Sequence, residues 1–272
     1  MTAIIALSGR QQSGKSTAAN FLLGCALQSK DIVRGGFKIL PTGQLYITDI
    51  FGDASYEGIF DPYRPGKAMR EFLATHLDKY FKIYSFADVL KQQICMKLLG
   101  LSHQGVYGTD DDKNQLTHLR WEDLPYVITD EAAYKKIIKI KSDYPYRFKY
   151  HATGFMTNRE VMEEVGTGFF RAYYPSCHAD ATLVQIYQDS PDVAVICDTR
   201  GVNEVEKIHN EGGKVIRMTR NPNNKQTEIE SQLDETNYNW DNFDFIVDNK
   251  DMSIAEFCQA IYGITQELGT NI

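Results

Sequence analysis

Gly9-Arg10-Gln11-Gln12-Ser13-Gly14-Lys15-Ser16-Thr17 sets two glycines, a lysine and the Ser16 hydroxyl at the spacing G-x-x-x-x-G-K-[ST]. Each part has a mechanical role. The glycines permit a tight turn whose backbone N–H groups point at phosphate oxygens. Lys15 brings a cation to the β- and γ-phosphates, and the Ser16 hydroxyl can ligate Mg²⁺. A loop of this kind works only between a buried strand and a helix whose positive N-terminus faces the anion. The apolar run Ile4-Ile5-Ala6-Leu7 precedes it, and Ala18, Phe21, Leu22, Cys25 and Ala26 follow at helical spacing. The expectation is a nucleoside triphosphate site.

Such a site needs a second half. Val193-Ala194-Val195-Ile196-Cys197-Asp198 is an apolar run ending in an acid, as expected where a strand delivers a carboxylate to the C-terminal edge of an open sheet. There Asp198 can face the metal opposite Ser16, and Arg200 can offer a bidentate fork to a phosphate. The competing structural role for Asp198 is to cap a helix starting near Val202.

Arg159 and Glu163 share a helix face, Gly166-Thr167 reads as the end of that helix, and Arg171 follows. The two arginines fit an anion clamp for a second, monophosphate substrate, and Arg159 with Glu163 equally fits a surface ion pair. Ser85-Phe86-Ala87-Asp88 joins a strand to a helix; Ser85 or Asp88 can cap it, and Asp88 can face an acceptor as a base.

The positioning elements follow from pattern. Five apolar runs read as buried strands: Ala3–Leu7, Phe81–Ser85, Val193–Cys197, Val215–Met218 and Phe243–Val247. Helices are expected over Ser16–Leu27, Phe86–Leu99, Asn158–Val165, Ala179–Tyr187, Val202–Asn210 and Ser253–Leu268. This alternation points to one α/β domain over 1–272 with a mainly parallel sheet of about five strands covered on both faces. Phe37–Phe51 alternates around Pro41-Thr42-Gly43 and reads as a hairpin outside that sheet, within an insertion of about 31–60. The stretch 102–157 is too long for a loop and reads as an inserted, lid-like subdomain. Its run from Tyr134 to Tyr150 interleaves aromatics with Lys135, Lys136, Lys139, Lys141, Arg147 and Lys149. Both a solvated face and a single-strand contact fit that pattern.

The chain has 272 residues and a net charge of −7, which disfavours coating a nucleic-acid backbone. Its five cysteines are scattered with no C-x-x-C pair, as expected of reduced thiols in a cytoplasmic protein. No apolar stretch is long enough to span a membrane, and the N-terminal run reads as a strand rather than a signal peptide.

Taken in order, these residues resemble the deoxynucleoside monophosphate kinases of tailed bacteriophages. The resemblance covers most of the chain. It rests on the phosphate loop, Ser85-Phe86-Ala87-Asp88 with Lys91, Tyr107-Gly108-Thr109-Asp110 with Lys113-Asn114, and Arg159 with Gly166-Thr167 and Arg171. It continues through Asp198-Thr199-Arg200 with Asn203-Glu204, Gly212-Gly213-Lys214-Val215-Ile216-Arg217, and Phe245-Ile246-Val247-Asp248-Asn249.

The resemblance implies a P-loop NTPase sandwich that transfers the γ-phosphoryl group of ATP to a dNMP with Mg²⁺, giving dNDP and ADP. It implies ATP binding by Gly9, Arg10, Gln12, Ser13, Gly14, Lys15, Ser16, Thr17 and Arg220, with Lys15, Asp198 and Arg200 around the transferred group. It implies Mg²⁺ held by Ser16 and Asp198, and dNMP binding by Ser85, Asp88, Lys91, Arg159, Glu163, Gly166, Thr167, Arg171 and Glu204. A lid over about 220–235 and a homodimer are further implications.

The chain departs from the family at Glu163, where Gln is usual, at Pro175-Ser176-Cys177-His178-Ala179, where a Trp is usual, and at Thr227-Glu228-Ile229-Glu230, which keeps only the last acid of His-x-Ser-Glu. Rival expectations are a kinase for a hydroxyl acceptor (dephospho-coenzyme A or a polynucleotide 5′ end), a non-catalytic nucleotide-binding protein, and a nucleic-acid-stimulated ATPase. A guanine switch needs N-K-x-D, and Asn249-Lys250-Asp251-Met252 lacks the final acid.

Overall fold

The computed structural model describes residues 2–62, 67–140, 148–222, 231–270 and 272. Five strands form the main sheet: β1 (Ala3–Ser8), β2 (Phe81–Tyr84), β3 (Val193–Thr199), β4 (Lys214–Met218) and β5 (Phe245–Val247). They lie in the order β5-β4-β1-β3-β2, all parallel. The strand runs expected from sequence match these within about two residues at each end.

Alternation along the strands explains the layers. Ile5 and Leu7 of β1, with Val193 and Val195 of β3, face helices α1 (Lys15–Ser29) and α4 (Ile254–Glu267). Ile4 and Ala6, with Ala194 and Ile196, face α2 (Cys177–Asp189) and α3 (Val202–Asn210). Helices therefore cover both faces, as a parallel sheet requires.

The expected hairpin is the first part of a three-stranded antiparallel sheet, Phe37–Ile39, Leu45–Ile47 and Gly58–Phe60. It packs on α1 and contributes Leu45, Ile47 and Phe60 to the same core as Ile5 and Leu7. This second covering explains why α1 buries Ala19, Leu23 and Leu27 beyond the stripe read from its spacing.

Two compact units divide the chain: Met1–Asp88 with Pro175–Ile272, and Val89–Tyr174. The second takes in the 102–157 stretch together with the helices on either side. Its core gathers Leu90, Cys95, Leu101, Val106, Trp121, Met156 and Val161.

Two helical expectations within it need correction. The segment expected as a helix over Phe86–Leu99 is a π-helix over Leu90–Leu98, preceded by a turn. Gly166-Thr167 does not end a helix: the α-helix Asn158–Glu163 passes directly into a π-helix over Glu164–Arg171. Wide turns of this kind, with i→i+5 bonds, are rare overall and frequent at functional sites.

Among the described residues no helix is long and apolar enough to cross a membrane. Half of the lid expected over 220–235, residues 223–230, lies outside the described residues, as do 141–147 of the basic-aromatic run.

Candidate functional site

The loop follows β1, the central strand. Ser8 at its tip pairs with Thr199 of β3 on one side and Arg217 of β4 on the other. The chain leaves β1 for β2, beyond β3, and leaves β3 for β4, beyond β1. Adjoining strands thus part in opposite directions at their C-terminal ends, the crevice where open α/β sheets bind ligands.

The loop's glycines are fixed by space and by backbone. Gly9 has φ +154°, and a Cβ there would stand 2.4 Å from Ser13 Oγ and 3.1 Å from the Met218 carbonyl oxygen. Gly14 has φ +104°, against Phe257 and Asn249. Lys15 is buried and its ammonium donates to the Gly9 and Arg10 carbonyls, both at 2.6 Å. Those bonds draw two of the loop's carbonyls to the lysine, and the Arg10 carbonyl also accepts the Ser13 N–H at 3.1 Å. Ser13 is wholly buried and its hydroxyl has no hydrogen-bond partner among the described residues. An orphaned hydroxyl in such a cradle fits a phosphate oxygen. Ser16 and Gln12 are exposed and Thr17 is half-buried.

Asn249 was unassigned from sequence, yet it ties the loop to its surroundings. Its amide donates to the Ser13 carbonyl at 2.7 Å and its oxygen accepts the Arg220 N–H at 2.9 Å. Arg220 itself is exposed. Next to Asn249 a cleft of about 350 Å³ is lined by Asp248, Lys250, Asp251, Met252 and Glu256. The Thr219 hydroxyl, foremost, holds the Asp248 carboxyl below its ordinary range.

Asp198 lies one residue from the Ser8–Thr199 pairing, at the same sheet edge as the loop. It accepts from the Ser85 hydroxyl at 2.6 Å and from the Phe86 N–H at 2.8 Å. It therefore does not cap α3. That role belongs to Glu204, fully buried, whose carboxylate accepts from the N–H groups of Arg200 and Gly201 at 2.7 and 3.1 Å. Asp88 accepts the Ser85 N–H at 3.1 Å. The Arg200 side chain is exposed.

A hydroxyl and a carboxylate suit Mg²⁺, which keeps most of its water and takes one or two carboxylates beside phosphate oxygens. No cluster of three or more acidic, His or Cys side chains is gathered among the described residues, and such an ion does not require one.

The unit Val89–Tyr174 carries the other sequence candidates. Arg159 donates to Asp110 at 2.8 Å and to Asn114 at 3.1 Å, so it turns to those residues rather than to Glu163, which is exposed. Gly166 is buried, Thr167 exposed and Arg171 half-buried, all within the π-helix. Lys91 lies over the Tyr107 ring at 4.8 Å.

The thiols behave as small apolar groups. Burial foremost, with Cys258 nearby, pushes the Cys25 thiol up to about 12, and burial pushes Cys258 and Cys95 to about 11. These three stay protonated at neutral pH.

Sequence reasoning also missed Asp234, which reaches the loop at Arg10, and gave no role to Arg217, which donates to Ser8 at the end of β1. Compared with known proteins, the chain matches no protein-family model and no curated sequence.

Proposed function

We propose that this chain is a P-loop phosphotransferase that moves the γ-phosphoryl group of ATP to a deoxynucleoside monophosphate, forming dNDP and ADP. One observation carries most of the weight. A complete phosphate loop follows the central strand, with an acidic strand end one register step away across the topological switch. The resemblance in the sequence supplies the acceptor.

The loop's amides, Lys15 and the Ser13 hydroxyl hold the β- and γ-phosphates. Ser16 and Asp198 would hold Mg²⁺, which when bound screens the charge on the phosphates and orients them. The cleft beside Asn249 offers Met252 as an apolar surface for the donor base. Transfer asks mainly for two anions held in line and for cations at the group in flight. Lys15 and Arg200 are assigned to that charge, Arg159 and Arg171 to the monophosphate. A phosphate acceptor is already ionised at neutral pH, so no strong base is needed. Asp88, engaged by the Ser85 N–H, suits the orientation of the Ser85 turn. Transfer to the acceptor rather than to water also requires that water be kept from the γ-phosphate.

The test is ADP formation with ATP and Mg²⁺ against each dNMP, dephospho-coenzyme A and a 5′-hydroxyl oligonucleotide. Turnover with one or more dNMPs and not with the others is expected. Turnover only with a hydroxyl acceptor, or none beyond background hydrolysis, overturns the reading.

A further inference from the structure

Arg10 belongs to the phosphate loop, and its guanidinium is gripped by a residue 224 positions away. Its Nε donates to Asp234 Oδ1 at 3.1 Å, and its Nη2 donates to the other carboxylate oxygen. Both side chains are largely buried. The carbonyl of the same residue accepts from Lys15. Backbone and side chain of Arg10 are thus both fixed.

Asp234 is itself rigidly mounted. Leu233 beside it is wholly buried, and the Leu233 carbonyl accepts from the Trp240 indole N–H at 3.0 Å. The Asp234 carbonyl accepts from the N–H groups of Asn237 and Tyr238, both at 2.8 Å. Behind it stands Arg217, 3% exposed, whose Nη2 is 3.9 Å from Asp234 Oδ1 and whose Nη1 donates to Ser8 Oγ at 3.1 Å. The Arg217 guanidinium lies over the rings of Trp240 and Phe243, at 5.4 and 5.5 Å.

One carboxylate thus stands between two guanidiniums, gripping that of Arg10 through both its oxygens. The carboxylate also takes a particular edge of Arg10, the Nε–Nη2 side, which sets the plane of the fork. An arginine held by one edge has its plane fixed and loses less freedom on binding an anion.

We propose that Asp234 is a positioning residue: by gripping Arg10 it aims that guanidinium at the triphosphate in the loop. The proposal rests on reading the loop as a triphosphate site. It goes beyond that reading by making the segment after residue 230 part of the donor site.

The experiment measures affinity for ATP and for inorganic tripolyphosphate, with Mg²⁺, by calorimetry. The chains are wild type, Lys15→Ala, Arg10→Ala, Asp234→Asn, the Arg10→Ala/Asp234→Asn double variant, and Asp234→Glu. Arg10→Ala and Asp234→Asn should each weaken both ligands by about tenfold, the scale of one charge-assisted bond. The double variant should bind no more weakly than Arg10→Ala alone, because Asp234 acts through Arg10. Asp234→Glu keeps the charge beside buried Arg217 and guards against simple unfolding. It should melt close to wild type and still lose affinity, since the grip is displaced by a methylene.

Effects of Asp234→Asn and Arg10→Ala that multiply, tighter binding by Asp234→Asn, or full affinity in Asp234→Glu would each overturn the proposal. If wild type binds and Lys15→Ala does not, while both Asp234 variants bind normally, Asp234 fails and the loop reading stands. If wild type binds neither ligand, both fall.

Discussion

At the scale of single residues, the arginines separate the proposed roles. Arg159 stands on a helix of the unit Val89–Tyr174, donating to Asp110 and Asn114, and Arg171 ends the π-helix that follows. Arg200 follows Asp198 at the main-sheet edge. A lost charge-assisted bond to phosphate is worth about 1.5–3 kcal/mol, or about ten- to a hundredfold in affinity. Arg159→Ala and Arg171→Ala should raise KM for dNMP by about that factor with much less effect on KM for ATP. Asp110 already pairs with Arg159 in the protein, so the Arg159 effect should fall at the low end. Arg200→Ala should mainly depress kcat, because its charge serves the group in flight. Steady-state kinetics varying each substrate against the other decide the matter; equal losses for ATP and dNMP would make the assignment wrong. Lys15→Ala should reduce kcat by orders of magnitude with the fold intact, since a cation at the transferred group is removed. Near-normal turnover would eliminate the loop as the catalytic centre.

At the scale of elements, the small antiparallel sheet and α1 are fitted to one another. Gly24 lies inside α1, where alanine ordinarily stabilises a helix by about 0.5–1 kcal/mol relative to glycine. Here a Cβ would stand 2.4 Å from the Phe37 ring, with the ring's inner carbon also within 2.8 Å. Gly24→Ala should therefore destabilise, by about 1–3 kcal/mol as overpacking does. Denaturant titration reads the sign, and a stabilised variant would show that the sheet can shift at no cost. At the sheet's far edge Asp49 accepts the Gly35 N–H at 2.6 Å, two bonds from the Arg34 N–H, the Thr48 hydroxyl and the Gly52 N–H. These donors, Gly35 first, hold its carboxyl down at about 2. An unfolded aspartate titrates near about 3.9. The stabilisation is therefore whole above about pH 4 and is lost as pH falls toward the folded value. Asp49→Asn should melt lower than wild type at pH 7, and the gap should narrow between about pH 4 and pH 2. A gap independent of pH would assign the effect to shape rather than charge. How legible these elements were follows from their geometry. The main strands show because five apolar runs end at turn signals. The third small strand, Gly58–Phe60, is as long as the other two but lacks a turn such as Pro41-Thr42-Gly43 to announce it. The π-helices carry i→i+5 bonds over eight or nine residues, too few to set a period distinct from 3.6. Gly166-Thr167 thus looked like a stop because glycine usually marks one.

At the scale of the whole molecule, the loop was readable because its parts are contiguous, while the groups that brace it are not. Asn249 and Asp234 reach the loop from more than 220 residues away, and no local spacing announces such a pairing. The division into two units gives these distances a functional use. The loop, Asp198, Asn249 and Asp234 all belong to Met1–Asp88 with Pro175–Ile272, whereas Lys91, Arg159, Glu163 and Arg171 all belong to Val89–Tyr174. Each unit has its own buried core, the second around Trp121 and Met156. A unit with its own core can in principle be removed without unfolding the rest. Replacing Val89–Tyr174 by a short Gly/Ser linker should leave ATP affinity within a few-fold of the intact chain while abolishing dNMP-dependent ADP formation. Calorimetry with ATP and the coupled ADP assay read the two outcomes separately, and circular dichroism checks that the parallel sheet survives. If the excised chain folds but loses ATP, residues of Val89–Tyr174 take part in donor binding. If it keeps dNMP turnover, the acceptor residues have been assigned to the wrong unit.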